Sequence, residues 1–263
     1  MTATPPAPYP PNLVGALMHG LAILDLYSLD ERELGVGEIA RRLGVHKSSA
    51  SRLAATLAAA GYLEAADDRP GRYRLGAKLL RLAAVAVDGD TVVRVAVPIL
   101  DRLVERSGET GHVATLDGTE VVTIAVVDGW RSVRMHSTVG KRSPAHATAI
   151  GKALLAALPD AEVARRYPGV GLERRTPRTL RTVGGLVDHL AEVRERGFAL
   201  DAEELEPGLR CLAAPVIDHT GTAAAAVGLS GPADRMAEAT DALARDVRAT
   251  AREISSALGA PAA

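Results

Sequence analysis

A run of hydroxyl and cationic side chains near residue 50 has the chemistry to bind duplex nucleic acid. Lys47, Ser48, Ser49, Ser51 and Arg52 stand between apolar positions that recur every three to four residues, as on one side of a helix. Short hydroxyls allow close approach to bases and phosphates, and one arginine can donate two hydrogen bonds to a guanine. These five residues are therefore predicted to contact double-stranded DNA.

The flanking sequence predicts the elements that position these side chains. Residues 36–43 and 47–60 have helical periodicity, and Gly44 between them allows the positive φ of a tight turn. Ala40 is small where the second helix must cross the first. Such a helix-turn-helix directs the N-terminal residues of its second helix at base edges in the major groove.

Two short extended runs follow directly and predict a wing. Residues 62–65 and 72–75 read as strands, and the turn-forming stretch 66–71 joins them. A hairpin after a recognition helix can reach phosphate or the minor groove. The wing is predicted to contribute three DNA-contacting cations: Arg69, Arg72 and Arg74.

Charge and composition favour the same interpretation and disfavour others. The net charge is −1, yet residues 41–81 hold nine Lys or Arg against three Asp or Glu. A local basic patch is typical of a nucleic-acid face, although a solvated surface is the simpler alternative. Aromatic residues make up only 3% of the chain, which argues against a protein that stacks RNA bases.

The length of 263 residues allows two domains. The first helix is predicted from Asn12 to about Ser28, followed by a polar turn at 29–34. With one cysteine, no signal sequence and no long apolar run, we expect a cytoplasmic protein without disulfides or membrane contact. The predicted segments are a disordered tail at 1–11, a winged helix-turn-helix at 12–75, a linker helix at 76–90 (helical to about Val87), a second domain at 91–258 and a tail at 259–263.

The second domain alternates helices with hairpin-linked strands, which predicts an α+β fold with a mainly antiparallel sheet. Thr182 and Gly197 are expected to cap the helix between them. The predicted helices are 91–105, 148–158, 160–167, 183–196 and 236–258, and the predicted strands are 112–116, 120–127, 131–136, 198–201, 210–217 and 222–229.

Three segments together resemble the IclR family of bacterial transcriptional regulators. They are the winged helix, including Gly61-Tyr62-Leu63 and Tyr73-Arg74-Leu75-Gly76, the run 140–156 around Gly151-Lys152, and the stretch 194–232. The resemblance implies a C-terminal GAF-like effector domain, dimers that often pair into tetramers, and an operator read as a pseudo-palindrome. It also implies a small organic acid or aromatic effector.

The resemblance also implies where the effector binds, near the loop that precedes the Gly151-Lys152 helix. Thr148 can cap that helix and mark an anion site, or it can be a cap and nothing more. Asp201 can equally be a solvated carboxylate, and Cys211 an inert buried thiol. Where some members have serine, Gly228 adds room, which suggests a bulkier or less polar ligand. The implied effector-binding residues are Thr148, Ala149, Ile150, Asp201, Cys211, Gly228 and Ser230.

Three other classes of function remain open at the level of sequence. Cys211 with His112, His136 or His146 would suit a thiol enzyme. His136, His146, Asp201, Cys211 and His219 could converge on zinc, although no tight ligand spacing is present. The second domain could also serve oligomerisation alone, without a ligand. Trp130 could be a surface aromatic or a lid over the pocket. We predict no catalytic residue, cofactor or metal.

Overall fold

The computed structural model describes residues 13–28, 31–66, 69–82, 91–169 and 171–261, and the chain divides into two compact units, residues 1–86 and 87–263. Among its described residues, the first unit contains four helices and three strands. They are α1 (Gly15–Leu24), β1 (Glu33–Gly35), α2 (Val36–Leu43), α3 (Lys47–Ala59), β2 (Leu63–Ala65), β3 (Arg72–Leu75) and α4 (78–82).

The helix-turn-helix and the wing form as the sequence predicts, with one added strand. The three strands make an antiparallel sheet in the order β1-β3-β2. The prediction of a plain turn over 29–34 was wrong at its end, because Glu33 and Gly35 pair with Arg74 and Arg72 of β3. A strand of only three residues is too short to leave a periodic pattern in the sequence.

A small apolar core holds the first unit together. Ile23, Leu34, Ile39 and Leu63 bring α1, β1, α2 and β2 into one buried cluster, which Ala50 of α3 joins. The small side chain at Ala40, also buried, fits the close crossing of α2 and α3. This core fixes which side of α3 remains outside.

Several predicted boundaries differ or fall outside the described residues. Helix α1 ends at Leu24 rather than Ser28, and Val14 precedes it without a side-chain cap. Asn12, the expected cap, lies outside the described residues, as do the 1–11 tail and the predicted boundary at 88–90. The predicted linker helix is described as helical only at 78–82.

The second unit has six strands and six α-helices among its described residues. The helices are α5 (Thr91–Ser107), α6 (Ala149–Ala156), α7 (Asp160–Arg166), α8 (Val183–Arg196), α9 (Ala233–Glu238) and α10 (Thr240–Ala257), with a 3₁₀ turn at Ala145–Ala147. The strands are β4 (Thr110–Asp117), β5 (Glu120–Val127), β6 (Arg142–Pro144), β7 (Ala199–Ala202), β8 (Leu209–Ile217) and β9 (Ala223–Pro232).

These strands form one antiparallel sheet in the order β6-β5-β4-β9-β8-β7, with helices on both faces. Helices α5 and α10 cover one face, where Leu100, Val227 and Ile254 are buried. Helices α6, α7 and α8 cover the other, where Leu155, Val163 and Leu190 are buried. The predicted class, a winged helix-turn-helix followed by an antiparallel α+β sheet domain, is confirmed.

The predicted strand at 131–136 was wrong. This segment is irregular, and the third strand of the first hairpin region is instead β6 (Arg142–Pro144), which pairs with Glu120–Val122 of β5. Two carbonyl groups of this segment accept hydrogen bonds from side chains instead of from a neighbouring strand. Thr110 donates to Met135 O at 2.7 Å, and Arg235 donates to Val133 O at 2.9 Å. The alternation of apolar Val133 and Met135 with polar residues therefore does not reflect a strand.

The last predicted helix, 236–258, is two helices. Ala239 leaves the helical region at φ −105° and ψ 10°, which separates α9 from α10. The break lets Met236 and Leu243 both face the core beneath α5 and α10. The predicted caps of α8 are confirmed, since Thr182 accepts from Gly185 N at 3.1 Å and Gly197 ends the helix at φ 70°.

Candidate nucleic-acid interface and ligand pocket

The turn between α2 and α3 orients α3 in the first unit. Gly44 ends α2 with φ 65°, a value that favours glycine. His46 precedes α3, and its Nδ1 accepts a hydrogen bond from Ser48 N at 3.3 Å. Ala50 and Ala54 are fully buried on the inner side of α3. Because the helix repeats every 3.6 residues, Ser51 and Arg52 between them face outward, whereas Leu53 packs against the core.

The outward side of α3 carries the five side chains that the sequence selected. Lys47, Ser48, Ser51 and Arg52 are exposed, and Ser49 is half-buried. Ser48 Oγ lies 2.8 Å from His46 Nδ1, while Arg52 makes no ion pair within the described part of the chain. A surface of hydroxyls and cations at a helix N-terminus can bind phosphates and base edges.

The three wing arginines have different surroundings. Arg69 is exposed and has no ion-pair partner among the described residues. Arg74 contacts Glu64, with Nε 2.7 Å from Oε1. Arg72 is half-buried, and its guanidinium donates to Glu33 O at 2.8 Å and lies 3.4 Å from Glu38 Oε2. Sequence reasoning missed Glu38, whose carboxylate also accepts from Gly35 N at 2.7 Å.

In the second unit, a pocket lies between the sheet and the start of α6, and its empty space is about 490 Å³ when the open solvent at its mouth is included. Six of the seven predicted effector-binding residues line it, namely Thr148, Ala149, Ile150, Asp201, Cys211 and Ser230. Residues that the sequence did not place there include His112, Thr123, Met135, Ser137, Lys141, Ser143 and Leu205. Most of them come from β4, β5 and the segment that leads into β6. No local sequence pattern indicates that these segments line the same cavity.

Gly228, the seventh predicted residue, does not line the cavity. It pairs with His112 of β4 and Ala213 of β8, and a Cβ placed on it would lie 2.5 Å from the carbonyl oxygen of Leu212. Glycine is therefore needed here for the close approach of β8. The prediction that Gly228 enlarges the pocket for a bulkier or less polar ligand was therefore wrong.

The N-terminus of α6 opens into the cavity. Thr148 Oγ1 accepts from Gly151 N at 3.1 Å, as predicted for a cap. The amides of Ala149 and Ile150, which line the cavity, donate no hydrogen bond to any described residue. Two unpaired amides at the positive end of a helix can bind an anion such as a carboxylate.

Asp201 lines the cavity with a carboxylate that is only half satisfied. Its Oδ1 accepts from Glu204 N at 2.6 Å, and its buried Oδ2 has no hydrogen-bond partner among the described residues. Burial raises the pKa of Asp201 to about 7. Behind it, the fully buried Lys152 donates to Leu200 O at 2.6 Å and forms an ion pair with Glu204.

Cys211 lacks the environment of a nucleophile. Ser230 Oγ donates to its Sγ at 2.9 Å, and burial raises the pKa of the thiol, so the neutral form prevails at neutral pH. Burial also lowers the pKa of His112 to about 4. No histidine in the described residues is hydrogen-bonded to Cys211, which removes the structural basis of the thiol-enzyme alternative.

The residues considered for zinc do not converge. Within the described ranges, no three His, Cys, Asp or Glu side chains are placed to share a metal ion. His146 Nε2 lies 2.9 Å from Glu173 O, and His136 and His219 are exposed. Trp130 is also exposed and is not among the residues that line the cavity. Its Nε1 donates a hydrogen bond to Glu105 O at 3.1 Å.

No helix among the described residues is long and apolar enough to span a membrane. Two family models match the chain: "IclR helix-turn-helix domain" over residues 16–67 and "Bacterial transcriptional regulator IclR C-terminal" over residues 84–256. The second model alone spans more than half of the sequence.

Curated relatives and solved structures agree with these models. The transcriptional regulator XynR of Escherichia coli is 37% identical over 251 residues, covering 95% of this chain and 99% of XynR. The repressor AllR of E. coli K12 is 36% identical, covering 93% and 90%.

Two crystal structures share the fold along nearly the whole chain. The IclR of Thermotoga maritima has a TM-score of 0.73 at 31% identity, covering 92% of this chain and 98% of its own. An IclR homologue of Microbacterium hydrocarbonoxydans, complexed with 4-hydroxybenzoate, has a TM-score of 0.81 at 25% identity, covering 93% and 99%.

Proposed function

The chain belongs to the IclR family of bacterial transcriptional regulators, and from this premise we propose that it binds an operator as a dimer and responds to a small carboxylate. The family gives it a DNA-binding helix-turn-helix and a C-terminal effector-binding domain. Its relatives are named as regulators and not as enzymes. It is expected to act in the cytoplasm, where its DNA lies.

The proposed operator contacts lie on the outward side of α3. Arg52 reads a base edge, and Lys47, Ser48, Ser49 and Ser51 bind bases or phosphates of the same half-site. Their exposure beside the buried Ala50 and Ala54 supports this assignment. Arg69 at the wing turn contacts phosphate or the minor groove.

The other two wing arginines have reduced roles in this proposal. Arg74 can reach DNA only by exchanging its contact with Glu64 for one with phosphate. Arg72 holds β1 and the start of α2 to the wing through Glu33 and Glu38. We therefore expect Arg72 to support DNA binding indirectly, by fixing the wing.

An exposed apolar stripe on α1 supports dimerisation through the first unit. Leu17 and Leu21 lie four residues apart on α1, Leu13 precedes the helix, and the three are 60%, 48% and 43% exposed, respectively. Residues four apart share one side of a helix, and a partner copy would remove this surface from water. A two-fold dimer would then bind a pseudo-palindromic operator. Pairing of dimers into a tetramer through the second unit completes the proposed assembly.

The effector is proposed to place its carboxylate at the start of α6. The observation that carries this assignment is the pair of unpaired amides, Ala149 and Ile150, in the wall of a cavity that opens to solvent. That a related protein has been solved with 4-hydroxybenzoate is consistent with a carboxylate at this position. Operator and effector affinities are then coupled reciprocally, through the predicted linker helix.

Two measurements on the full-length protein test this function. A mobility-shift assay with the DNA upstream of its own gene should give a specific complex at physiological salt, and an unrelated fragment should not compete. Thermal unfolding with a panel of carboxylates should show stabilisation that grows with ligand concentration. Specific DNA binding with no stabilising ligand would favour the alternative of a ligand-free DNA-binding oligomer.

A further inference from the structure

On its β4 side the cavity contains a buried polar atom that no described residue pairs with. His112 is 5% exposed and faces the cavity from β4. Its Nε2 is buried and has no hydrogen-bond partner in the described part of the chain. Gly228, its neighbour across the ladder, has no side chain that could reach it.

Three hydroxyls lie nearby. Thr123 and Ser143 are half-buried and Ser137 is buried; all three line the same cavity, and their side chains make no hydrogen bond to any residue that the structure describes. A buried polar atom such as His112 Nε2 is almost always paired with protein, ordered water or ligand. The cavity can therefore bind a ligand with more than one hydrogen-bonding group.

The charge state of His112 narrows the chemistry of that group. Burial and the nearby charge of Lys141 lower the pKa of His112 to about 4, so the ring is neutral at pH 7. A neutral imidazole has one donor and one acceptor nitrogen. A hydroxyl can pair with Nε2 in either tautomer, whereas a carboxylate can pair with it only when Nε2 carries the proton. The α6 amides, which only donate, are the complementary place for the carboxylate.

We propose that the effector is a hydroxylated carboxylic acid, one hydroxyl of which pairs with His112 Nε2, and that His112 sets the preference over carboxylates without that hydroxyl. The inference rests on the proposed function, because it assumes that the cavity binds the effector and that the α6 amides hold its carboxylate. It adds to that function a hydroxyl group on the ligand and His112 as the residue that recognises this hydroxyl. Val121, Met135 and Leu205 also line the cavity and can provide apolar contact for the carbon skeleton.

The test uses matched ligand pairs that differ only in hydroxyls: butyrate with 4-hydroxybutyrate, hexanoate with gluconate, and benzoate with 4-hydroxybenzoate. Calorimetric titration of the full-length wild-type protein should show at least one pair whose hydroxylated member binds roughly tenfold or more tightly. A site built for a hydroxyl rejects the analogue that lacks it, because the buried partner is then left unpaired.

Substitution of His112 separates recognition from packing. His112→Phe keeps a planar ring of similar size and should abolish the hydroxyl preference within that pair, while the member without the hydroxyl binds as before. His112→Asn retains a hydrogen-bonding group and should restore part of the preference. His219→Phe, at an exposed position outside the cavity, is the matched control and should change neither affinity.

The outcomes distinguish this inference from the function on which it rests. Equal weakening of both members of a pair in His112→Phe would show that the ring only packs, and would overturn the inference. The inference is also overturned if no hydroxylated member binds better than its partner, or if none of the six acids binds a protein that still forms the operator complex. If the wild-type protein does not bind the operator at all, the proposed function itself is overturned.

Discussion

Asp201 Oδ1 accepts the amide proton of Glu204 at 2.6 Å, so one carboxylate both lines the cavity and fixes the loop beside it. Glu204 in turn forms an ion pair with the buried Lys152 of α6. Asp201, Glu204 and Lys152 therefore connect the cavity wall to the helix whose N-terminus is the proposed anion site. A ligand that contacts Asp201 would act on both elements.

The first prediction concerns the pH dependence of stability at Asp201. Burial raises the pKa of Asp201 from 3.8 to about 7, so the native state holds this proton more tightly than the unfolded chain does. Its contribution to the free energy of unfolding is complete below pH 3.8 and is lost as the pH rises through 7. Asp201→Asn keeps the Oδ1 acceptor but cannot ionise, and should gain stability relative to wild type, by about 1–4 kcal/mol between pH 5 and pH 8.

Urea unfolding at both pH values measures this difference. Asp188→Asn, at an exposed position on α8, is the control and should follow the wild type at each pH. Parallel pH profiles for Asp201→Asn and wild type would show that Asp201 ionises normally in the folded protein.

The second prediction concerns base recognition by Arg52. Arg52→Ala should weaken binding to the cognate operator by about 1–3 kcal/mol and relax specificity at one base pair of each half-site. Non-specific binding should change much less. Mobility shifts with the operator and with random DNA measure both, and Arg245→Ala, an exposed position on α10, serves as the control. Unchanged operator affinity in Arg52→Ala would contradict the assignment.

The third prediction separates two wing arginines that the sequence could not distinguish. Arg69→Ala should reduce the slope of log affinity against log salt by about one, because one phosphate contact is lost. Arg72→Ala should lower the free energy of unfolding by about 1–2 kcal/mol, because it breaks the contacts with Glu33 and Glu38. DNA binding as a function of salt and unfolding in urea are measured for both variants. A stability loss in Arg69→Ala together with a reduced salt slope in Arg72→Ala would contradict both roles.

The fourth prediction concerns the single cysteine. Because burial raises the pKa of Cys211 and Ser230 occupies its sulfur, iodoacetamide should label the native protein at pH 7 far more slowly than the urea-unfolded chain. Mass spectrometry of the labelled protein measures both rates. Rapid labelling of native protein would revive a reactive role for this thiol.

The sequence predicted the DNA-binding unit well because its signals are local. Gly44, the spacing of Ile39 and Ala50, and the hairpin after α3 each act within a few residues. Strand β1 and the irregular 131–136 segment were missed because their partners are distant: Arg74 for Glu33, and Thr110 and Arg235 for the irregular carbonyls. Such tertiary hydrogen bonds leave no periodic pattern.

For the same reason, only some of the residues that line the pocket were predicted from the sequence. Thr148, with its capping pattern, and the strand positions Asp201, Cys211 and Ser230 were identified with help from the family resemblance. His112 was considered only as a catalytic base, because nothing in the sequence shows that β4 faces the same cavity as α6. Its unpaired Nε2 became visible only when the sheet order was known.

The last prediction concerns the buried pair behind the cavity. Lys152 is fully buried, and removal of its charge in Lys152→Met would leave Glu204 buried and unpaired, at a cost of about 3–5 kcal/mol. Glu204→Gln in the same protein removes the orphaned charge, so the double variant should be more stable than Lys152→Met alone. A double-mutant cycle by urea unfolding gives the coupling energy, and additive losses would show that the two side chains do not depend on each other. Because Glu204 N also holds Asp201, a strong coupling would further mean that the cavity wall and α6 respond together to a ligand.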